Sequence, residues 1–232
     1  MTRALLETVQ ISQRFGGVTA NKDVSIAVAP GEIVGLIGPN GAGKSTLFNL
    51  IAGMMAPSEG AIRFDGEDVT ALPATARCKR GIARTFQVVK SFESMSVIDN
   101  VIVGSLVRTS SVSKARDKAV EVLEFTGLLH RAQAPAGELI PSEKRRLEFA
   151  RALATSPRLL LLDEVLTGLT PSEAHYGVEL VRRSRDRGVT ILMVEHVMEV
   201  VMPLVDRAIV LDLGAVLAEG KPADIVRDER VI

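Results

Sequence analysis

Cysteine is almost missing: Cys78 is the only one in 232 residues. That excludes an internal disulfide and a cysteine-built metal cluster, and it fits a reducing, cytosolic compartment. Net charge is missing too. Lys and Arg together number 28, as do Asp and Glu, so nothing favours broad electrostatic binding to nucleic acid or an anionic lipid surface. No uncharged apolar run approaches the length of a membrane span, and the first residues, Met1-Thr2-Arg3-Ala4-Leu5-Leu6-Glu7, hold no long apolar signal region. Work at a membrane is therefore expected to pass through a partner. There is no internal repeat and no low-complexity tract. What the chain does have is apolar residues, 47% of the total, enough for a sizeable core in one large domain or a domain with a subdomain.

The most specific stretch is Gly38-Pro39-Asn40-Gly41-Ala42-Gly43-Lys44-Ser45-Thr46, which fits G-x-x-x-x-G-K-[ST], the phosphate-cradling P-loop. The apolar run over 32–37 reads as a buried strand and residues 44–52 read as a helix, the context the motif requires. Glycines let backbone N–H groups converge on phosphate oxygens, and the helix N-terminus adds its partial positive charge at the same point. Lys44 is expected to reach the β- and γ-phosphates and Ser45 to ligate Mg²⁺.

Elsewhere the pattern alternates. Ala61-Ile62-Arg63-Phe64 runs into Asp65-Gly66, a hairpin turn signal. Residues 97–106 and 112–125 have helical apolar spacing, the latter with Ala115, Ala119, Val122 and Leu123 on one side. From Pro157 onward, residues 159–162 and 190–194 read as buried strands. Between them Ser172 reads as the N-cap of a helix ending near Arg187, with Gly188 as its stop. Apolar strands alternating with helices predict an α/β fold whose sheet is mainly parallel and covered on both faces. Ligands of such sheets sit beyond the carboxyl ends of the strands.

Two carboxylates, Asp163 and Glu164, stand at such an end. A P-loop enzyme needs one carboxylate near Mg²⁺ and one group to orient the attacking water; Asp163 suits the metal and Glu164 the water. His196, in Val194-Glu195-His196, again follows a buried strand and could hydrogen-bond a γ-phosphate or the water. Taken alone it reads as an ordinary polar residue at a strand end. Gln87, in Arg84-Thr85-Phe86-Gln87, can bond both a metal-bound oxygen and water, and alone it is uninformative.

P-loop, Gln, Asp-Glu and His in this order resemble the nucleotide-binding subunit of ATP-binding cassette (ABC) transporters, over essentially the whole chain. The resemblance implies a P-loop NTPase core with a mainly parallel sheet, an antiparallel β subdomain and a helical subdomain. Core and β subdomain would take about 1–87 and 156–232, and the helical subdomain about 88–155. It makes residues 38–46 the Walker A motif, Gln87 the Q-loop with a place at the metal, 159–163 the Walker B strand, Glu164 the catalytic glutamate and His196 the switch histidine. ATP and Mg²⁺ are the implied cofactors. Phe15, before Gly16-Gly17, takes the place of the aromatic that stacks on adenine; read by itself it is a core side chain. Residues 81–87, 95–101 and 195–202 resemble the branched-chain amino acid importers, closest to the subunit type with the longer middle region. The implied partners are a second ABC ATPase subunit, two membrane permease subunits and, indirectly, a solute-binding protein, with no nucleic acid. The implied place is the cytoplasmic face of the inner membrane. Members of that group continue for a short tail beyond the point where this chain ends, at Val231-Ile232, which leaves truncation open.

Against this pattern the chain departs in three places. The family signature, L-S-G-G-Q or a near relative, falls on Leu139-Ile140-Pro141-Ser142-Glu143, aligned back from Ala150-Arg151-Ala152-Leu153. Ile140 has no hydroxyl to offer a phosphate, and Glu143 puts a negative charge in the first turn of the helix. Losing one donor aimed at developing charge costs on the order of 100- to 1000-fold in rate. Ser142 reads as a replacement N-cap whose hydroxyl lies near the helix tip. Val165 replaces the usual proline, and Thr170 takes the place of the D-loop Asp or Asn. Two such subunits pair head to tail in this family, each ATP lying between one P-loop and the other's signature. The expectation is a heterodimer with one competent and one degenerate site. Two other readings stay open: a nucleotide-binding regulatory subunit that does not hydrolyse ATP, and a soluble ABC ATPase acting on DNA or ribosomes. A P-loop kinase would leave Gln87, Glu164 and His196 unexplained.

Overall fold

The computed structural model describes residues 3–86, 90–166 and 170–231. Along the chain lie β1 (Leu6–Phe15), β2 (Val18–Val28), β3 (Ile33–Ile37), α1 (Lys44–Ala52), β4 (Glu59–Phe64), β5 (Glu67–Asp68), α2 (Ala74–Arg80) and β6 (Ile82–Arg84). Then follow α3 (Val97–Ser105), α4 (Val112–Phe125), α5 (Pro141–Ala154), β7 (Leu159–Asp163), α6 (Pro171–Asp186), β8 (Thr190–Val194), α7 (Met198–Val201), β9 (Arg207–Asp212), β10 (Ala215–Gly220) and α8 (Pro222–Ile225).

The apolar runs β3, β7 and β8 are buried at every residue, which a strand achieves only between two covering layers. They form the centre of a six-stranded sheet in the order β10-β9-β3-β8-β7-β6, parallel except for β10. Successive side chains point to opposite faces. Val34, Leu36, Leu161 and Leu192 meet Leu47, Phe48 and Ile51 of α1 on one face. Ile33, Leu160, Leu162, Ile191 and Met193 meet Phe149 of α5 and Leu180 and Val181 of α6 on the other. Leu36 and Asp163 both pair with Val194, so the segments after β3, β7 and β8 leave the sheet at one edge. That shared edge positions the site.

A second, antiparallel sheet has the order β2-β1-β4-β5. Its Asp65-Gly66 turn has φ of 53° and 75°, the left-handed pair that a two-residue hairpin demands. Helices α3, α4 and α5 close on a core of their own, including Val97, Val101, Ala119, Leu123, Leu147 and Ala150.

One helix start differs from expectation. Thr170, not Ser172, caps α6, its hydroxyl accepting the N–H of Glu173 while the Glu173 carboxylate accepts the N–H of Thr170 at 2.9 Å. The reciprocal pair satisfies two end donors together, and Pro171 at the first helical position presets φ. The helix runs to Asp186, and Gly188 follows at φ +88°.

Candidate nucleotide site

Between β3 and α1 the chain makes a loop that accepts no side chain at two points. Gly38 has φ +144°, and a Cβ there would lie 2.0 Å from the Leu211 carbonyl oxygen. A Cβ on Gly43, at φ +94°, would lie 2.3 Å from the carbonyl oxygen of Ala20. The loop is pinned from both sheets: Asn21 Nδ2 donates to the Gly43 carbonyl at 3.2 Å, and the Gly214 N–H to Ala42 at 3.2 Å. Its N-cap is Gly43, and among the described residues no side-chain cap bond closes the start of α1, which leaves its first amides to serve an anion. Pro39, Asn40, Gly41 and Ser45 are exposed, Thr46 is partly covered, and Ala42 is buried.

Lys44 is buried, its Nζ donating to the carbonyls of Gly38 (2.7 Å) and Pro39 (2.8 Å). Burial lowers its pKa from the ordinary lysine value; the nearby Glu164 and Asp163 carboxylates push the other way. The three groups therefore share one electrostatic neighbourhood.

Asp163 ends β7 and is buried, its N–H donating to the Thr85 hydroxyl at 3.2 Å. Its Oδ2 accepts from Arg84 Nη2 at 2.8 Å. Glu164, at φ +51°, turns the chain out of the sheet while its N–H donates to Val194 at 2.9 Å. Its Oε1 lies 2.7 Å from His196 Nε2. The two side chains meet because β7 and β8 are parallel neighbours in register. Phe15 lies at the end of β1, paired with Val18 across the Gly16-Gly17 turn, its ring about half exposed (48%). It is no core side chain; it stands on the hairpin whose second strand also contributes Ala20 and Asn21 to the loop. Gln87 lies outside the described residues.

Three positions escaped the sequence reading. Arg84 is the half-buried partner of Asp163. Glu195 is buried and accepts the Leu166 N–H at 2.7 Å, tying the segment after Glu164 to the one bearing His196. Glu148 of α5 accepts N–H groups from Phe86 (2.6 Å) and Lys90 (3.2 Å), on either side of 87–89. Only Leu-Glu-Phe in an apolar helical stretch could have flagged Glu148; the other two carry no local signal.

The tip of α5 corrects one expectation. Its N-cap is Ile140, with Pro141 first in the helix and Ser142 inside the first turn, so Ser142 is no cap. Glu143 reaches back to accept the Ile140 N–H at 3.2 Å, and Ile140, lacking a hydroxyl, cannot return the bond. Arg131 and His130 lie 3.9 and 4.0 Å from the Glu143 carboxylate. The Ser142 hydroxyl is instead the first of several groups, with the Thr170 N–H and hydroxyl, that hold the Glu173 carboxyl at about 2. Two departures far apart in sequence, Ser142 and Thr170, thus meet on one carboxylate.

A family model described as ABC transporter matches residues 21–167. Over 248 aligned residues, covering all of this chain and 97% of the relative, the chain is 37% identical to the high-affinity branched-chain amino acid transport ATP-binding protein BraF of Pseudomonas aeruginosa. With the same coverage it is 39% identical to the corresponding protein LivG of Escherichia coli K12. Among solved structures, the ADP conformation of MJ1267, an ATP-binding cassette of an ABC transporter, superposes with a TM-score of 0.90 at 32% identity, covering 99% of this chain and 97% of that one. The dimeric structure of the bacterial cassette MJ0796 superposes at 0.85 with 25% identity, covering 94% and 98%.

Proposed function

The chain belongs to the ABC transporter family, and from that premise we propose that it is the ATP-hydrolysing subunit of an importer for branched-chain amino acids or related small solutes. One observation carries the reading. A glycine-walled phosphate cradle, a buried lysine and an Asp-Glu-His set converge at one edge of a parallel sheet. The solute class comes from the names of BraF and LivG.

The residues fit both groups that the reading requires. ATP suits a cradle that side chains cannot fill and an uncapped helix start. Mg²⁺ suits the Ser45 hydroxyl and the Asp163 carboxylate, hard oxygen donors, with Gln87 the third candidate. Among the described residues no three His, Cys, Asp or Glu side chains form a metal cluster. Such a partial shell matches a magnesium ion shared with substrate phosphates. When bound, Mg²⁺ neutralises charge on the β- and γ-phosphates.

The chain's own groups do the rest. Lys44 exchanges its carbonyl contacts for phosphate oxygens, whose charge offsets the desolvation that depresses its pKa. Glu164 orients the attacking water and accepts its proton, and His196, holding one Glu164 oxygen, leaves the other for the water. Phe15 stacks on the adenine. Catalysis of this kind is mostly positioning and charge stabilisation.

ABC cassettes work as dimers with membrane permeases in importers, and no described helix is long and apolar enough to cross a membrane. We place this chain peripherally on two permease subunits at the cytoplasmic face of the inner membrane, with Gln87 and the helices after it as the coupling surface. Its partner is a second, different ABC ATPase subunit. Ile140 and Glu143 at the tip of α5 support that asymmetry, because the tip presents the exposed Ile140 side chain in place of a hydroxyl and carries a carboxylate in its first turn. The test is Mg²⁺-ATP hydrolysis and ATP binding by the chain and its Lys44→Ala variant. Loss of ATP binding in the variant supports the reading; wild-type binding by the variant removes it.

A further inference from the structure

Arg84 is tied to several groups near the site, and the family resemblance that runs through residues 81–87 gives it no role. It stands at the end of β6, three residues before Gln87. Its side chain is 11% exposed, and that of its partner Asp163 is 5% exposed. One guanidinium nitrogen donates to Asp163 Oδ2 at 2.8 Å and another to Asn49 Oδ1 at 2.5 Å. The plane lies over two rings, 5.9 Å from the Phe48 centroid and 5.3 Å from that of Phe86. Its Nε is buried with no hydrogen-bond partner among the described residues.

These contacts join three segments. Asn49 sits one helical turn beyond Ser45 on α1, so it shares a face with the metal-side hydroxyl. Asp163 ends β7. Phe86 begins the segment of Gln87. A planar fork with fixed donor directions ties them as a lysine could not. Leaving Nε unpaired costs stability, so the arginine is placed here against a local penalty.

We propose that Arg84 is a positioning residue for the magnesium step: it holds Asp163 aimed and charge-balanced before the metal arrives, and it competes with the metal for the same carboxylate. The inference rests on the ATPase reading above. Two like-charged cations drawn to one buried carboxylate repel, so Arg84 weakens metal binding while it fixes the geometry that turnover needs. Removing the charge should therefore tighten the metal and slow the reaction. A merely structural role moves both the wrong way, with looser metal and slower turnover.

The experiment compares wild type, Arg84→Met and Arg84→Lys in the full chain. ADP binding is measured in EDTA, and the rise in thermal midpoint with ADP is then titrated with Mg²⁺, a readout that needs no turnover. kcat for ATP follows, measured with the transporter subunits present if the chain alone is silent. For Arg84→Met the expected result is ADP binding in EDTA within about threefold of wild type, a half-saturating Mg²⁺ concentration at least about fivefold lower, and a kcat down on the order of tenfold or more. Arg84→Lys, which keeps the charge and loses the fork, should keep wild-type Mg²⁺ dependence with reduced kcat. It also carries the test if Arg84→Met fails to fold. Arg84→Met with unchanged or weaker Mg²⁺ response and intact ADP binding overturns the proposal alone, as does Arg84→Lys with wild-type kcat. Wild type with no response to ADP overturns the ATPase reading and the proposal together.

Discussion

Single atoms decide the phosphate loop. Gly41 and Gly43 both have positive φ, 82° and 94°, but only Gly43 is walled in, by the Ala20 oxygen at 2.3 Å and Asn21 Nδ2 at 2.6 Å from a Cβ. Alanine at 41 meets backbone strain alone, about 1–2 kcal/mol. Alanine at 43 meets the same strain and a backbone clash that must push β2 from the loop. Urea unfolding should show Gly43→Ala costing at least about 1 kcal/mol more than Gly41→Ala, and only Gly43→Ala should abolish the ATP-induced rise in thermal midpoint. Equal losses in the two would mean that the wall is not rigid. Glu164 belongs to the same scale. Gln at 164 keeps the size and one oxygen but cannot accept a proton, so binding should persist while kcat falls about 100-fold or more. ATP affinity beside single-turnover hydrolysis checks this, and unchanged turnover would remove Glu164 from its role.

Elements, not single residues, carry the link between the Gln87 segment and the helices. Glu148, on α5, is 5% exposed and takes the N–H groups of Phe86 and Lys90, the residues on either side of 87–89. Burial raises its pKa above the ordinary value of 4.5, against the pull of those two N–H groups and of Arg151 and Lys90. The sign follows directly. A carboxyl with a raised pKa in the folded state binds its proton more tightly there than when unfolded. Its contribution to stability is full below 4.5 and is lost as pH rises through the raised value. The difference in thermal midpoint between wild type and Glu148→Gln should thus shrink from pH 4 upward and level off; a difference that grows with pH would mean that the N–H groups of Phe86 and Lys90 outweigh burial and that the pKa is lowered instead. None of this was legible in the sequence. The strands were, because β3, β7 and β8 are apolar at nearly every position, and α1 was, because its glycine loop names its start. The caps of α5 and α6 were misplaced by two residues each, although Pro141 and Pro171 mark the first helical position in both. The Arg84–Asp163 pair joins residues 79 apart, and only the parallel pairing of β6 with β7 brings them together. Residue type and spacing do not encode that kind of contact.

At the scale of the whole molecule the question is how many of these chains one site needs. In a head-to-tail pair, this chain's cradle faces a partner's signature and this chain's α5 tip faces a partner's cradle. The tip presents Ile140, which is 57% exposed, and a Glu143 carboxylate already committed to the Ile140 N–H and flanked by Arg131. Two copies would therefore build two sites with intact cradles and two impaired signatures. A heterodimer with a regular partner builds one good site. ATP should bind the isolated chain with little turnover, and specific activity should stay flat as protein concentration rises. Restoring the tip with Ile140→Ser and Ser142→Gly together should raise homodimer turnover, by on the order of 100-fold if the missing donor is the main defect, and make activity rise faster than linearly with concentration. The same pair of changes should also release Glu173 from Ser142, which the wild-type helix pairing uses, so a thermal midpoint that falls as turnover rises is the expected signature. Wild-type chain whose activity already climbs faster than linearly would show that the tip serves as a working signature and that two identical subunits suffice.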